Sequence, residues 1–205
     1  SGRYKGKHAG TIGDTGVYSF NGNKIITTGG GGMLVSSDSG ILGHARHLTT
    51  QAKSDTLYYT HDEVGYNYRM TNLQAALGLA QLENLEQFVR VKTDNFNYYM
   101  ERVSCIEGLE LMDVRQGIRS NHWFYALYCS SKYGRTRDGL ISHLKSRGIQ
   151  ARPVWGLVHK QKPYQGCRAY MVEEAEGYWG NVVNIPCSTG LTLQQACRVA
   201  DCLVC

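Results

Sequence analysis

Lys24 stands in the stretch SFNGNKIITTGGGG (residues 19–32), among amides and hydroxyls and just ahead of four consecutive glycines. An amine that is to act as a nucleophile must be neutral, whereas an unperturbed lysine, with a pKa of about 10.4, is protonated at pH 7. Removal from water, or covalent linkage as an imine, meets that requirement, and lysine is the side chain that forms Schiff bases with aldehydes. Asn21 and Asn23 flank Lys24, and no carboxylate occurs between Asp14 and Asp38 to hold the amine charged. Ser19, Asn21 and the glycines add hydroxyl, amide and backbone N–H donors of the kind that grip a phosphate. Such a set suits a phosphate-bearing aldehyde, and pyridoxal phosphate is one. On these residues alone, a tight hairpin with an exposed lysine explains the stretch equally well. Other phosphate loops are excluded by spacing, since neither G-x-x-x-x-G-K-[ST] nor G-x-G-x-x-G is present.

The lysine loop needs flanking elements to hold it. TGVYSF (15–20) and GGMLVS (31–36) are expected as short buried strands on either side of it, and 40–48 as a helix. Residues 49–70 show no clear period. Thr71 and Gln74 have capping-box spacing, and Leu73, Ala76, Leu77, Ala80, Leu85 and Phe88 recur at three and four, a pattern that predicts a helix running on through Phe96 and Met100. After Gly108 the character changes. HWFYALYC (122–129) predicts an aromatic strand, and 136–147 an amphipathic helix capped by Thr136, turning Leu140, Ile141 and Leu144 inward and stopped by Gly148. IQARPVW predicts a further strand. A last helix from Thr192 is expected to bury Leu193, Ala196, Ala200 and Leu203. This alternation is that of a small α/β domain, whereas two short strands in the first half cannot bury a core of their own.

Composition narrows the class. The 205 residues are 42% hydrophobic and 19% charged, as in an ordinary globular protein, with no apolar run long enough to span a bilayer and no expected signal peptide. The net charge of +5 is scattered, which favours small anionic ligands over nucleic acid. An odd count of seven irregularly spaced cysteines predicts reduced thiols and a cytoplasmic location rather than a disulfide framework. Cys202 and Cys205 form a C-x-x-C, but no second ligand pair accompanies it, so small apolar residues on a closing helix account for it.

GDTGVYSFNGNKIITTGGGGMLV resembles the lysine segment of the sugar aminotransferases of the DegT/DnrJ/EryC1/StrS family. The likeness continues in order through GYNYRMTNLQAALGLAQLE, NHWFYALY, GIQARPVWGLVHKQKPY and NIPCSTGLT. The wording is most similar to members that aminate UDP-4-keto-6-deoxy-N-acetylhexosamines. The resemblance implies an α/β protein of the pyridoxal-phosphate-dependent transferase fold type I (aspartate aminotransferase-like). The large domain would be incomplete, with its C-terminal part over 1–95, and a small C-terminal α/β domain would follow over 96–205. It implies that Lys24 carries the cofactor as a Schiff base and moves the proton, that Ser19 binds the cofactor phosphate, and that Asn67 reaches the phosphate in a neighbouring subunit, so that a homodimer shares its active sites. Arg69, His122, Trp123, His159 and Tyr164 match parts that line the sugar-nucleotide pocket.

The implied reaction moves an amino group, with glutamate as the expected donor, onto a nucleotide-linked 4-keto-6-deoxy sugar in bacterial surface glycan synthesis. Lysine rather than histidine at position 24 disfavours the dehydratase branch. The family's pyridine-pairing Asp and ring-stacking residue would precede Ser1, so the chain resembles roughly the C-terminal half of such an enzyme and alone is expected to be poorly active. A non-catalytic dimerising fragment and a nucleotide-sugar-binding module are the alternatives.

Overall fold

The computed structural model describes residues 2–204, so Cys205, and with it the reading of the C-x-x-C pair, lies outside the described residues. The chain opens with paired strands β1 (Arg3–Tyr4) and β2 (Lys7–His8) and a hairpin of β3 (Thr15–Ser19) and β4 (Gly32–Ser36). Helix α1 (Ser39–Thr49), a small hairpin of β5 (Lys53–Asp55) and β6 (Thr60–His61), and helices α2 (Asn72–Glu83) and α3 (Leu85–Val103) come next. Then follow β7 (Leu109–Leu111), β8 (Ile118–Arg119), β9 (Tyr125–Cys129), α4 (Arg137–Ser146), β10 (Arg152–Pro153), α5 (Glu173–Asn181), β11 (Val182–Ile185) and α6 (Leu193–Asp201). The chain divides into two compact units: one runs to Phe88 and takes in Arg115–Asn121, the other comprises Val89–Val114 and everything from His122 on.

The second unit holds the hydrophobic core. Its antiparallel sheet has the order β10-β11-β9-β7. Along β9, Tyr125, Leu127 and Cys129 are buried and the residues between them less so, the period of two that puts alternate side chains on one face. That face meets Phe96, Tyr99 and Val103 of α3, Leu140 and Leu144 of α4, and Ala196, Val199 and Ala200 of α6 in a single cluster. Two of the buried hydroxyls are satisfied, Tyr125 donating to the Lys92 carbonyl at 2.6 Å and Tyr133 to that of Leu203 at 2.7 Å, whereas the Tyr99 hydroxyl is buried without a partner among the described residues. Thr136 caps α4 as its sequence predicts, and Gly148, at φ +71°, supplies the left-handed residue that follows the helix. Thr192 and Gln195 form a full capping box on α6. Leu193 does not bury as expected and is 60% exposed: it is the first residue of the helix, and burial begins a turn later, at Ala196, Val199 and Ala200. The strand expected over residues 122–129 begins only at Tyr125, and the one expected near 149–155 shortens to two residues.

The first unit is built differently. Ala52 is the only apolar side chain in it, among the described residues, that is buried. Strands β3 and β4 are present in register, from Thr15 opposite Ser36 to Ser19 opposite Gly32, but they are not the buried strands expected, and Val17 is 74% exposed. The hairpin is a sheet of two strands, too narrow to cover itself. Helix α2 forms with both halves of its capping box, yet Leu73, Leu77, Leu79 and Leu82 stay exposed. The helix expected to run unbroken to Met100 breaks at Asn84, which caps α2 through its N–H to the Gln81 carbonyl and its Nδ2 to that of Ala80, at 3.1 and 2.8 Å.

Candidate active site

The hairpin loop that carries Lys24 is closed by hydrogen bonds at its base. The Phe20 N–H donates to the Gly31 carbonyl and the Thr28 N–H to the Phe20 carbonyl, both at 3.0 Å, and the Thr27 hydroxyl donates to the same Phe20 carbonyl at 2.9 Å. Within the loop, the Lys24 N–H turns back onto the Asn21 carbonyl at 3.0 Å. The loop is also fastened to α2: Gln81 Oε1 accepts from the Thr27 N–H at 2.8 Å. Thr28, 5% exposed, packs its methyl where Gly78 leaves room, and its hydroxyl donates to the Gly30 carbonyl.

The glycine run now has a local cause. Gly29 and Gly31 adopt φ of +79° and +92°, where a side chain is strained. A Cβ on Gly32 would lie 2.7 Å from the Tyr18 carbonyl oxygen, inside contact distance of the facing strand. Only Gly30 lacks such a reason, with nothing within 4 Å of a Cβ there. The hairpin's own geometry therefore accounts for three of the four glycines, without a ligand approaching them.

Ser19 ends β3, exposed; its Oγ accepts from the Asn21 N–H at 3.5 Å and keeps its own proton to donate. Lys24 is half-buried. Asn67 lies within, and Arg69 just beyond, a segment laid antiparallel along the end of α1. There the Tyr66 N–H donates to the Leu48 carbonyl at 2.7 Å and the Tyr68 N–H to that of Thr49 at 3.1 Å, with a single bridge pairing Thr50 and Asn67. Both side chains are exposed, and since Thr71 and Gln74 cap α2 themselves, neither is spent on the helix start.

The other candidates belong to the second unit. His122 takes φ +46° and stacks on Phe96 with ring centroids 4.2 Å apart; burial pushes its imidazole below the usual value of 6.5, toward the neutral form. Trp123 joins an aromatic group, 4.4 Å from Phe124 and 5.6 Å from Trp155 between centroids. His159 points its Nε2 at Glu176, 3.4 Å away, and Lys160 reaches the same carboxylate at 2.9 Å. Tyr164 ends a short turn, half-exposed. Sequence reasoning missed the bracing residues Thr27, Thr28, Gly78 and Gln81; the visible signal was a glycine and a glutamine set three apart within the apolar run GLAQLE.

The arrangement on the first unit suits a cofactor with an aldehyde and a phosphate. It offers a half-buried amine on a braced loop, a hydroxyl at the strand end beside it, and no acidic side chain between Asp14 and Asp38. EpsN of Bacillus subtilis, a candidate pyridoxal phosphate-dependent aminotransferase, is 35% identical over 98% of this chain and 52% of its own length. The GDP-perosamine synthase of Caulobacter vibrioides is 34% identical over 98% of this chain and 54% of its own. Among solved structures, the aminotransferase TlmJ from Streptoalloteichus hindustanus superposes with a TM-score of 0.90 at 25% identity, covering 98% of this chain and 54% of that one. The chain thus spans about half the length of the curated relatives it matches. Residues 1–204 match the model of the DegT/DnrJ/EryC1/StrS aminotransferase family, and the chain belongs to that family of fold type I pyridoxal-phosphate enzymes.

Proposed function

We propose that this chain serves an aminotransferase that loads an amino group onto a nucleoside-diphosphate-linked 4-keto-6-deoxy sugar. The observation that carries this reading is Lys24, half-buried on a loop tied to both its strands and to α2, with Ser19 at the strand end beside it. Pyridoxal phosphate, when bound, supplies the aldehyde that carries the amino group and the electron sink that lets the neighbouring carbon lose a proton. Lys24 Nζ is the atom that would hold it, and once released from that linkage the same amine would take up and return that proton. Bracing fixes the backbone below the amine, so that little positional freedom is lost when the reacting atoms meet. Ser19 Oγ–H, with N–H groups of the loop, serves as the phosphate donor set.

Asn67 and Arg69 are exposed on a segment whose backbone is held by α1, which suits reaching outward to a second subunit and its phosphate, and so a homodimer. His122 and Trp123 are assigned to the sugar-nucleotide pocket, the former as a neutral imidazole that hydrogen-bonds without adding charge. His159 and Tyr164 join them from the neighbouring turns. One relative is named for a GDP-linked sugar, and the Lys24 segment resembles UDP-sugar members. The proposal is therefore made for the class of nucleoside-diphosphate sugars, with glutamate as donor. Residues 1–95 are read as part of the cofactor domain and 96–205 as the small domain. Among the described residues the six cysteines are free thiols, which suits a cytoplasmic enzyme of glycan synthesis.

Borohydride trapping tests the assignment. The chain is incubated with pyridoxal phosphate, reduced and mapped by peptide mass spectrometry, and the pyridoxyl mass is expected on the peptide containing Lys24. Its visible absorbance band is expected to vanish in Lys24→Ala. Label spread evenly over other lysines, or an unchanged band in the variant, refutes the role of Lys24.

A further inference from the structure

Four metal-ligating side chains converge on the first unit, outside the lysine loop. His44 and His47 lie one turn apart on α1, a spacing that puts both rings on one helix face. Asp62 and Glu63 follow directly on β6. His47 Nε2 is 2.6 Å from Asp62 Oδ1 and 3.6 Å from Glu63 Oε1, and His44 Nε2 is 3.0 Å from Glu63 Oε1. Donor atoms of His47, Asp62 and Glu63 all lie within 4.8 Å of one another. In a tetrahedral shell with metal–ligand bonds of about 2.0–2.1 Å, neighbouring donors stand about 3.3 Å apart. The His47–Asp62, His44–Glu63 and His47–Glu63 separations bracket that edge length.

The backbone holds these donors in place. Ala52, wholly buried, donates its N–H to the His47 carbonyl at 2.9 Å and accepts from the Asp62 N–H at 3.2 Å, so one residue bridges the two ligand-bearing segments. Gln51 and Ala52 take left-handed φ values of 69° and 48° to do so, and His61 Nδ1 meets the Gln51 carbonyl at 2.7 Å. A Cβ on Gly65 would strike this same backbone at 2.3 Å, so the segment beyond the carboxylates is packed against the turn.

We infer that His47, Asp62 and Glu63 form a binding site for a divalent first-row metal ion, zinc in the first instance, with His44 turning in from beside Glu63 as the fourth ligand. Two imidazoles and two carboxylates are the donor set such ions take, whereas calcium and magnesium prefer oxygen alone. The ion stands between α1 and the strand end, and it stiffens the segment that leads into Asn67. This inference does not depend on the role of Lys24 and is tested without pyridoxal phosphate.

The test uses the untagged chain, freed of metal by chelator and titrated calorimetrically with zinc chloride, with cobalt(II) as the spectroscopic probe. One equivalent is expected to bind saturably. Cobalt is expected to give weak visible bands without the intense near-ultraviolet absorption of a thiolate complex, and zinc to raise the melting temperature by several degrees. His47→Gln and Glu63→Gln are each expected to weaken binding roughly tenfold or more. His44→Gln, on an exposed helix surface and so neutral for folding, is expected to weaken it less. No saturable heat, a thiolate spectrum, or an affinity unchanged in His47→Gln with its circular dichroism intact overturns the site.

Discussion

Gly78 and Thr28 offer the sharpest test of how the lysine loop is held. In a helix interior, replacing glycine by alanine stabilises by about 1 kcal/mol. In α2 the new Cβ would sit 2.8 Å from Thr28 Cγ2, closer than carbon atoms approach. Threonine is stiff at χ1, and the Thr28 hydroxyl is bonded to the Gly30 carbonyl, so the methyl cannot swing away without breaking that bond. Overpacking of this kind costs about 1–3 kcal/mol, so Gly78→Ala is expected to lose about 1 kcal/mol net. Thr28→Ser alone removes a buried methyl and is expected to cost about 1 kcal/mol. In the double variant the alanine methyl fills the space the threonine methyl left. Its stability is then expected to return close to the parent's, a coupling of about 2 kcal/mol. Hydrogen exchange of the Ala75–Leu82 amides reads this locally, and borohydride labelling of Lys24 is expected to slow in Gly78→Ala and recover in the double variant. Effects that add to within about 0.5 kcal/mol would show that the two residues do not meet, and the account of loop bracing would fail.

Two further expectations concern the second unit. Leu144→Ala, emptying a fully buried site between α4 and the sheet, is expected to cost about 2–5 kcal/mol in denaturant unfolding, and a loss under 1 kcal/mol would contradict the packing described. The Glu176 carboxyl is held below its ordinary 4.5 by hydrogen bonds from Lys160 first and His159 second. Because the folded value is the lower one, this pairing contributes stability above pH 4.5 that is lost as the pH falls through the folded value. Lys160→Met is expected to raise the midpoint of the Glu176 carboxyl carbon in an NMR titration. A midpoint that stays put would assign the shift elsewhere.

What the sequence made legible was local chemistry. The capping boxes at Thr71 and Thr192, the Thr136 cap and the Gly148 stop all form, because each depends on a few neighbouring residues. The lysine loop was legible for the same reason: a strand, a turn and a strand suffice to define it. Burial was less legible. Val17 and Leu73 have the residue types of a core, and their patterns are right, but burial needs a covering element that periodicity cannot supply. The break at Asn84 was hidden because the apolar spacing continues across it while one amide side chain ends the helix. The cluster at His44, His47, Asp62 and Glu63 escaped because its members come from two segments separated by a hairpin with no clear period.

The glycine run shows how composition and geometry can point to one place for different reasons. Four glycines suggest a close-approaching ligand, yet two satisfy left-handed φ values and a third avoids the Tyr18 carbonyl. These requirements belong to the hairpin, and it is the hairpin that presents Lys24. The first unit buries hardly any apolar side chain, so it cannot hold that loop by packing alone, and the work falls to directional bonds at Phe20, Thr27, Thr28 and Gln81. A loop fixed by hydrogen bonds keeps its geometry only while its donors and acceptors stay matched. The residues most able to disturb the amine are therefore those beneath the loop rather than those beside Lys24.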